Sequence, residues 1–286
     1  MPIYALGSKA IKGWWASIVK KTFVIKVGGA FMQSPDAAVE LLSVLKQLQE
    51  KHQFVVVHGG GPMVEDLTRA LGFTTEKLGG LRVTPESQLP FIVGALAGTA
   101  NKQLCGLAIK AGLTPVGLSL ADGGIAQCYT IKPELGAVGE ASAGDVKLLS
   151  SLLEQTFLPV ISSIGADETG NLLNINADQA AIIVSQLLSA ELILLSDVAG
   201  VLDDKKQLVE QLDSSGIDEL IAQNVIRDGM AVKVKAALDT ANSIEKPVYI
   251  ASWKQPQSLL ALANGQTIGT QVLPSTYSQS LKQESL

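Results

Sequence analysis

The chain has 286 residues, of which 47% are hydrophobic and 17% charged, and 22 lysines and arginines against 27 acidic residues give it a net charge of −5. A chain of this length buries roughly 73% of its unfolded surface, so its core requires neither disulfides nor a structural metal. Only three of the cations are arginines, which argues against binding to a nucleic acid backbone. Two cysteines and two histidines, widely spaced, do not form a zinc motif, and no apolar run reaches the ~18 residues of a membrane span.

Residues 1–21 differ in character from the rest of the chain. They carry four lysines around Trp14 and Trp15 and no acidic residue. Neither a secretory signal nor a mitochondrial presequence fits this pattern, so we expect a cytoplasmic protein. Three interpretations of this leader remain open: a disordered or appended segment, a helix in oligomer contacts, and a segment that touches a surface or membrane.

From residue 21 onward, short β-branched runs alternate with helical patterns, which is typical of a parallel sheet covered on both faces. In chain order we predict a strand over 23–27, a helix capped by Ser34, a strand over 54–57 and a helix that follows Pro62 and runs through Leu67 and Leu71. A long helix from Thr84-Pro85 through Lys102 precedes strands near 115–118 and 126–131, a helix from about 145 to 155 and a strand over 158–162. A turn over 167–170 leads into residues 172–175, and an apolar helix follows residues 176–178 and ends near 188. A strand over 192–195, helices near 217–222 and 230–243, and a strand over 248–251 complete the series. We expect Pro90 to bend or interrupt the long helix. The tail beyond residue 273 is rich in serine and glutamine and is expected to be loose.

Two glycine clusters follow predicted strands, at residues 28–29 and 59–61. Open α/β sheets bind ligands at the carboxyl ends of their strands, and glycine lets backbone N–H groups approach an anion closely. The clusters therefore predict two anion cradles, with a tight strand-to-helix turn as the alternative for each. Neither cluster has the spacing of the dinucleotide-binding fingerprint or of the P-loop.

Three charged residues complete a candidate site. Lys26 closes an apolar strand, where a lysine is costly unless it faces an anion or a carboxylate. Lys233 lies early in a predicted helix, where a cation opposes the helix dipole, so another reason must place it there. Asp178 lies near the start of its helix, and capping that helix is its alternative role. Two lysines, an acid and two glycine cradles together predict phosphoryl transfer between two anions.

Residues 23–270 resemble the amino acid kinase family. The resemblance is carried, in order, by the motifs KVGG (26–29), HGGG (58–61), GLRVT (80–84), GALAGTANK (94–102), NINAD (174–178), LSDV (195–198) and DGM (228–230). It implies an open αβα sandwich with a mainly parallel central sheet. It further implies an N-terminal amino-acid-binding lobe over residues 22–190, a C-terminal nucleotide-binding lobe over 191–274, and a flexible tail over 275–286.

Within the family, the chain is most similar to members that use ATP and Mg²⁺ to phosphorylate the γ-carboxylate of N-acetyl-L-glutamate in arginine biosynthesis. The resemblance implies that Lys26 bridges the phosphates and the reacting carboxylate, that Lys233 holds the nucleotide side, and that Asp178 orients both ammonium groups. It assigns the phosphates and nucleotide to Gly28, Gly29, Ser196, Asp197, Gly229 and Met230, and the acetylated amino acid to Gly60, Gly61, Arg82, Asn174 and Asn176. No protein metal site is expected.

The chemistry of the residues agrees with this assignment without a general base. A γ-carboxylate is already ionised at neutral pH, so its oxygen can attack the γ-phosphorus directly. The difficulty is to bring an anion up to a polyanion, which lysines, backbone amides and Mg²⁺ can stabilise. Arg82 can clamp a carboxylate with two parallel hydrogen bonds.

Two alternatives remain. A sibling kinase would form an acyl phosphate on glutamate, aspartate or a carrier-linked aminoadipate, and a non-catalytic sensor would bind a nucleotide or amino acid on the same fold. The presence of Lys26, Asp178 and Lys233 together argues against the sensor. We expect a homodimer without feedback inhibition, although the leader resembles in position the N-terminal helix of arginine-inhibited hexameric members.

Overall fold

The computed structural model describes residues 20–276, apart from the side chains of residues 228 and 229. The predicted leader lies outside the described residues up to residue 19, and so does the predicted tail from residue 277. Lys21, which we assigned to the leader, is instead the first residue of the first strand. None of the helices in the described range is long and apolar enough to cross a membrane.

The strands of residues 20–276 are, in chain order, β1 (Lys21–Val27), β2 (His52–His58), β3 (Lys77–Leu78), β4 (Leu81–Arg82), β5 (Pro115–Ser119), β6 (Ala126–Thr130), β7 (Val138–Ala143), β8 (Leu158–Ser162), β9 (Ile164–Ala166), β10 (Leu172–Ile175), β11 (Glu191–Ser196), β12 (Gln211–Leu212), β13 (Val248–Ser252) and β14 (Thr270–Val272). The α-helices are α1 (Gly29–Met32), α2 (Pro35–Leu48), α3 (Gly61–Ala70), α4 (Leu89–Val93), α5 (Asn101–Lys110), α6 (Lys147–Glu154), α7 (Ala177–Leu188), α8 (Ser214–Ala222) and α9 (Asp228–Ile244). Short 3₁₀ helices lie at Asp122–Gly124, Pro133–Leu135 and Pro256–Asn264.

The main sheet has eight strands in the order β12-β14-β13-β11-β1-β2-β8-β5. All neighbours pair in parallel except β13 and β14. Successive side chains of a strand point to opposite faces, and both faces here are apolar. On β1, Val24 packs into one core while Phe23 and Ile25 pack into the other. The predicted αβα sandwich with a mainly parallel central sheet is confirmed.

A smaller sheet, in the order β6-β7-β10-β9, stands apart from the main sheet. The strand predicted at 126–131 belongs to it as β6, and residues 172–175, which follow a predicted turn, form β10. Strand β7 was missed because its sequence, VGEASA, has few β-branched residues. A third pair, β3 and β4, is a hairpin whose turn residues Gly79 and Gly80 have φ values of +59° and +84°. Both residues of such a turn need positive φ, which glycine adopts without strain.

The prediction of a long helix from Thr84-Pro85 is wrong about where the helix begins and about where it is irregular. Thr84 is extended, with its N–H donating to the Leu135 carbonyl at 2.8 Å, and α4 begins only at Leu89. Pro90 therefore lies in the first turn of α4, where its missing N–H removes no helical hydrogen bond. The irregularity comes later, as a π-helical segment over Gly94–Ala100 between α4 and α5.

The two cysteines are both free and buried. Burial raises the pKa of the Cys105 thiol and of the Cys128 thiol. A raised thiol pKa keeps the reactive thiolate scarce at neutral pH, so both side chains act as small core residues.

Candidate active site

A cavity of about 220 Å³ opens beyond the carboxyl end of β2, next to the start of α3. Five of the predicted site residues line it together: Gly60, Gly61, Arg82, Asn174 and Asn176. The rest of its wall is mostly apolar and includes Val64, Leu81, Ile92, Leu96, Val138 and Ile175. We call this space the acceptor cavity.

Arg82 is held in place by two hydrogen bonds from its guanidinium. Its Nη2 donates to Glu65 Oε2 at 2.6 Å and its Nη1 donates to Thr75 Oγ1 at 2.8 Å. The hydrogen bond from Arg82 is the main cause that lowers the pKa of the Glu65 carboxyl. Because a guanidinium has five N–H donors, the remaining ones are available at the cavity.

Asn174 connects to the backbone of Arg82 through Thr84. The Asn174 amide Nδ2 donates to Thr84 Oγ1 at 3.1 Å, and that hydroxyl donates to the Arg82 carbonyl at 3.1 Å. Thr84 is fully buried. This chain of hydrogen bonds fixes β10 against β4, so the two predicted substrate ligands keep a constant separation.

The start of α7 shows which residue caps this helix, a role that the sequence left open for Asp178. Asn176 is the N-cap, since its Oδ1 accepts hydrogen bonds from the backbone N–H of Asp178 at 2.7 Å and of Gln179 at 3.3 Å. Asp178 therefore does not cap its helix, and its carboxylate is free for another partner. That partner is Lys26, whose Nζ lies 2.8 Å from Asp178 Oδ1.

A second cavity, of about 210 Å³, lies between α7, α9 and the strands β11 and β13. Its polar side is formed by Lys26, Asp178, Ser196 and Lys233. Lys233 Nζ lies 3.4 Å from Ser196 Oγ and 3.6 Å from Asp197 Oδ1. We call this space the lysine cavity.

The resemblance implied that Asp178 orients both lysines, whereas the ion pair of Lys233 is with Asp197. A hydrogen bond from its own backbone N–H, followed by the charge of Lys233, lowers the pKa of the Asp197 carboxyl. Each ammonium group therefore has its own carboxylate.

Consecutive residues at the first turn of α7 line the two cavities. Asn176 and Ala177 line the acceptor cavity, and the next residue, Asp178, lines the lysine cavity. The N-terminus of α7 carries a partial positive charge, which adds to the charge of Lys26. The first turn of α7 therefore contributes to the lining of both cavities.

Four of the fully described site residues do not line either cavity: Gly28, Gly29, Asp197 and Met230. Gly229 is one of the two residues of α9 that the structure does not describe in full. Gly28 is the N-cap of α1, directly after β1, and a side chain at Gly29 would collide with the ring of Pro62. Three polar lining residues were not predicted from the sequence: Lys77 and Ser163 in the acceptor cavity and Thr240 in the lysine cavity. Lys77 precedes the Gly79-Gly80 turn, and this proximity to a glycine pair is the signal that could have identified it.

Comparisons with known proteins identify relatives of this chain. The model of the amino acid kinase family matches residues 21–252. The chain is 51% identical over 255 residues to an acetylglutamate kinase from Aeromonas salmonicida, covering 88% of this chain and 98% of that protein. It is 50% identical over 259 residues to an acetylglutamate kinase from Shewanella sediminis, covering 90% and 98%.

Among solved structures, smu.665 from Streptococcus mutans is similar with a TM-score of 0.69 and 30% identity, covering 88% of this chain and 98% of that one. The family match spans most of the chain, and the relatives are matched over nearly their whole length. The chain belongs to the amino acid kinase family.

Proposed function

We propose that this chain transfers the γ-phosphoryl group of ATP to the γ-carboxylate of N-acetyl-L-glutamate, forming N-acetyl-L-glutamyl 5-phosphate in arginine biosynthesis. A carboxylate oxygen forms a bond to the γ-phosphorus while the bond from that phosphorus to the β-phosphate oxygen breaks, and ADP leaves. No proton needs to be removed, because the carboxylate is already ionised. The relatives named above carry the same activity in their names.

The observation that carries the proposal is that consecutive residues at the start of α7, 176–178, line the acceptor cavity and the lysine cavity. Lys26 and Lys233 both line the lysine cavity. Phosphoryl transfer between two anions needs positive groups at both the attacking and the leaving oxygens. In this proposal, Lys26 serves the attacking oxygen and Lys233 serves the leaving oxygen.

The lining of the acceptor cavity favours an N-acylated amino acid over a free one. Among its described residues it has two cations, Lys77 and Arg82, and no carboxylate. A free α-ammonium would lose its hydration there without gaining a negative partner, whereas an acetyl group fits the apolar wall formed by Ile92 and Leu96. Free glutamate and aspartate are therefore poorer substrates.

In this proposal, the catalytic residues are Lys26, Lys233 and Asp178. The ammonium groups stabilise the charge of the transition state, and Asp178 holds Lys26 in place. Arg82, Asn174 and Asn176 bind the acetylated amino acid, while the N–H groups of Gly60 and Gly61 contact the reacting anions. Gly28, Gly29, Ser196, Asp197, Gly229 and Met230 complete the phosphate and nucleotide side.

The described residues offer no group of three or more His, Cys, Asp or Glu side chains suited to a metal ion. Mg²⁺ commonly binds substrate phosphates and several waters with few protein ligands. The proposed Mg²⁺ would accordingly be held by the phosphates of ATP, and it would neutralise part of their charge.

The proposal includes the organisation of the chain. Residues 22–190 bind the acetylated amino acid and residues 191–274 bind the nucleotide. The residues lining the acceptor cavity all fall between 59 and 177, which supports the first assignment. We further propose that the chain forms a homodimer and that it is located in the cytoplasm. Sedimentation of the purified protein tests the oligomeric state directly.

A hydroxamate assay tests the proposed reaction. Hydroxylamine traps an acyl phosphate as a coloured hydroxamate, so the assay reports the product class itself. ATP and Mg²⁺ are supplied with N-acetylglutamate, glutamate, aspartate or aminoadipate in parallel, and product with N-acetylglutamate is expected to dominate. Faster product formation with another acceptor would assign a sibling activity, and no hydroxamate from any acceptor would refute carboxyl phosphorylation.

A further inference from the structure

Within the motif GALAGTANK, Leu96 lines the acceptor cavity, whereas Asn101 lines neither cavity and its side chain is fully buried. Asn101 follows the π-helical segment and is the first residue of α5. Its Nδ2 donates to the carbonyl of Val160 on β8 at 2.9 Å and lies 3.2 Å from that of Leu118 on β5. Since both carbonyls can only accept, the amide nitrogen must lie on this side.

The same nitrogen lies 3.0 Å from Nε2 of His58, the last residue of β2. The other ring nitrogen, Nδ1, lies 2.8 Å from the carbonyl oxygen of Gly59. That carbonyl needs a donor and the Asn101 amide needs an acceptor, so the proton of His58 lies on Nδ1. His58 is fully buried, and burial lowers its pKa from 6.5 to about 4, which keeps the ring neutral.

The hydrogen bond from His58 orients one peptide group of the glycine loop. In a trans peptide the C=O of Gly59 and the N–H of Gly60 point in opposite directions. Because the carbonyl is held against the buried ring, the Gly60 N–H points away from it. A peptide between two glycines has little conformational preference of its own, so this external hydrogen bond decides its orientation.

We propose that Asn101 and His58 are positioning residues for phosphoryl transfer: Asn101 fixes the Nδ1–H tautomer of His58, and His58 aims the Gly60 N–H at the acceptor cavity. The inference rests on the proposed function and deepens it. Both side chains are fully buried, so they act through the loop and do not touch the substrate. The chain of contacts runs from Asn101 through His58 and Gly59 to Gly60, which lines the cavity.

Two substitutions of His58 separate this role from simple packing. In His58→Asn the new amide nitrogen takes the place of Nδ1 and keeps the donor to Gly59. In His58→Gln the amide takes the place of Nε2, so the variant fills more of the space but loses that donor. We expect His58→Gln to lower kcat by roughly 10²-fold, the loss typical of one misdirected oxyanion donor, and His58→Asn to keep kcat within about tenfold of wild type.

The KM for ATP should change much less than kcat in both variants, since the loop acts on the transferred group. Circular dichroism and thermal unfolding check that each variant is folded. If packing were the only role, the larger glutamine would be the better replacement. A higher kcat in His58→Gln than in His58→Asn would therefore overturn the proposal.

The tautomer can be measured without any activity. The chain has two histidines, so His52→Gln leaves His58 as the single imidazole, and nitrogen-15 spectra then show which ring nitrogen is protonated. At pH 7 we expect a proton on Nδ1 and none on Nε2. A proton on Nε2 in the otherwise unchanged protein would overturn the proposal whatever the enzyme does.

Asn101→Asp reverses the polarity of the contact at nearly constant shape, because a carboxylate accepts where the amide donates. The ring proton should move from Nδ1 to Nε2 and kcat should fall, whereas Asn264→Asp, which adds the same charge at an exposed position, should change neither. An Asn101→Asp protein with a proton on Nε2, none on Nδ1 and wild-type kcat would refute the link to catalysis. If this variant does not fold, the comparison of His58→Asn with His58→Gln and the nitrogen-15 spectrum with Asn101 unchanged still test the proposal. An absence of acyl phosphate from the wild-type chain would instead refute the proposed function and leave the tautomer result standing.

Discussion

The buried His58 makes the stability of this chain depend on pH in the mildly acidic range. Burial lowers its pKa from 6.5 to about 4, against the smaller opposing effect of the hydrogen bond to Gly59. As the pH falls through about 6.5 the unfolded chain binds a proton at this ring, while the folded chain does not. The stability contributed by the neutral ring is therefore fully present above pH 6.5 and is lost progressively down to about pH 4.

The size of the effect follows from the two pKa values. A separation from 6.5 to about 4, at about 1.4 kcal/mol per pH unit, corresponds to a total of about 3 kcal/mol. Between pH 7.5 and pH 5 the loss amounts to about 2 kcal/mol, because titration of the unfolded state begins gradually. This is a large fraction of the stability of a typical domain.

Urea unfolding of the wild type and of His58→Asn at several pH values between 7.5 and 5 measures this loss. Carboxyl groups with a lowered pKa, such as Glu65 and Asp197, also make the folded protein less stable in acid. Both proteins contain these groups, so their contribution cancels when the two proteins are compared. The free energy of unfolding of the wild type should fall by about 2 kcal/mol more than that of the variant. If the free energy of unfolding fell equally with pH in both proteins, measured at the same protein concentration, His58 would not be held neutral. That result would refute the reasoning.

Four further outcomes are expected. Lys26→Ala should lower kcat by roughly 10²-fold or more with smaller changes in KM, since the ammonium acts in the transition state, and steady-state kinetics showing near wild-type kcat would remove it from catalysis. Asp178→Asn combined with Lys26→Ala should cost less than the sum of the single losses, because the 2.8 Å ion pair makes them one unit, and full additivity would contradict that coupling. Arg82→Lys should raise the KM for N-acetylglutamate far more than the KM for ATP, because a point charge cannot replace a planar fork, and equal increases would place Arg82 outside the acceptor site. Gly60→Ala should also raise the KM for N-acetylglutamate, since the new Cβ would lie 2.7 Å from Leu96 Cδ2 in the cavity wall, and an unchanged KM would show that this wall yields.

Much of the candidate site could be predicted from short stretches of sequence. A lysine at the end of a buried strand requires a negative partner, and glycine pairs after strands predict close approach of a backbone to a ligand. Lys26 and the Gly59–Gly61 loop were found in this way, and Lys26 does face a carboxylate. Which carboxylate faces which lysine was not predictable, because Asp197 and Asp178 both lie near helix starts or strand ends and differ only in where the sheet places them.

The sequence by itself determined the alternation of strands and helices and hence a parallel sheet with two covered faces. Those properties follow from hydrophobic periodicity and from backbone sterics within a few residues. Only the tertiary structure decided that Pro90 opens a helix, that Asn176 caps α7 in place of Asp178, and that Asn101 reaches a histidine 43 positions away. The physical reason is strand order: β2, β8 and β5 become neighbours through pairing across the whole sheet, and no local pattern specifies which distant backbone groups a buried side chain will meet.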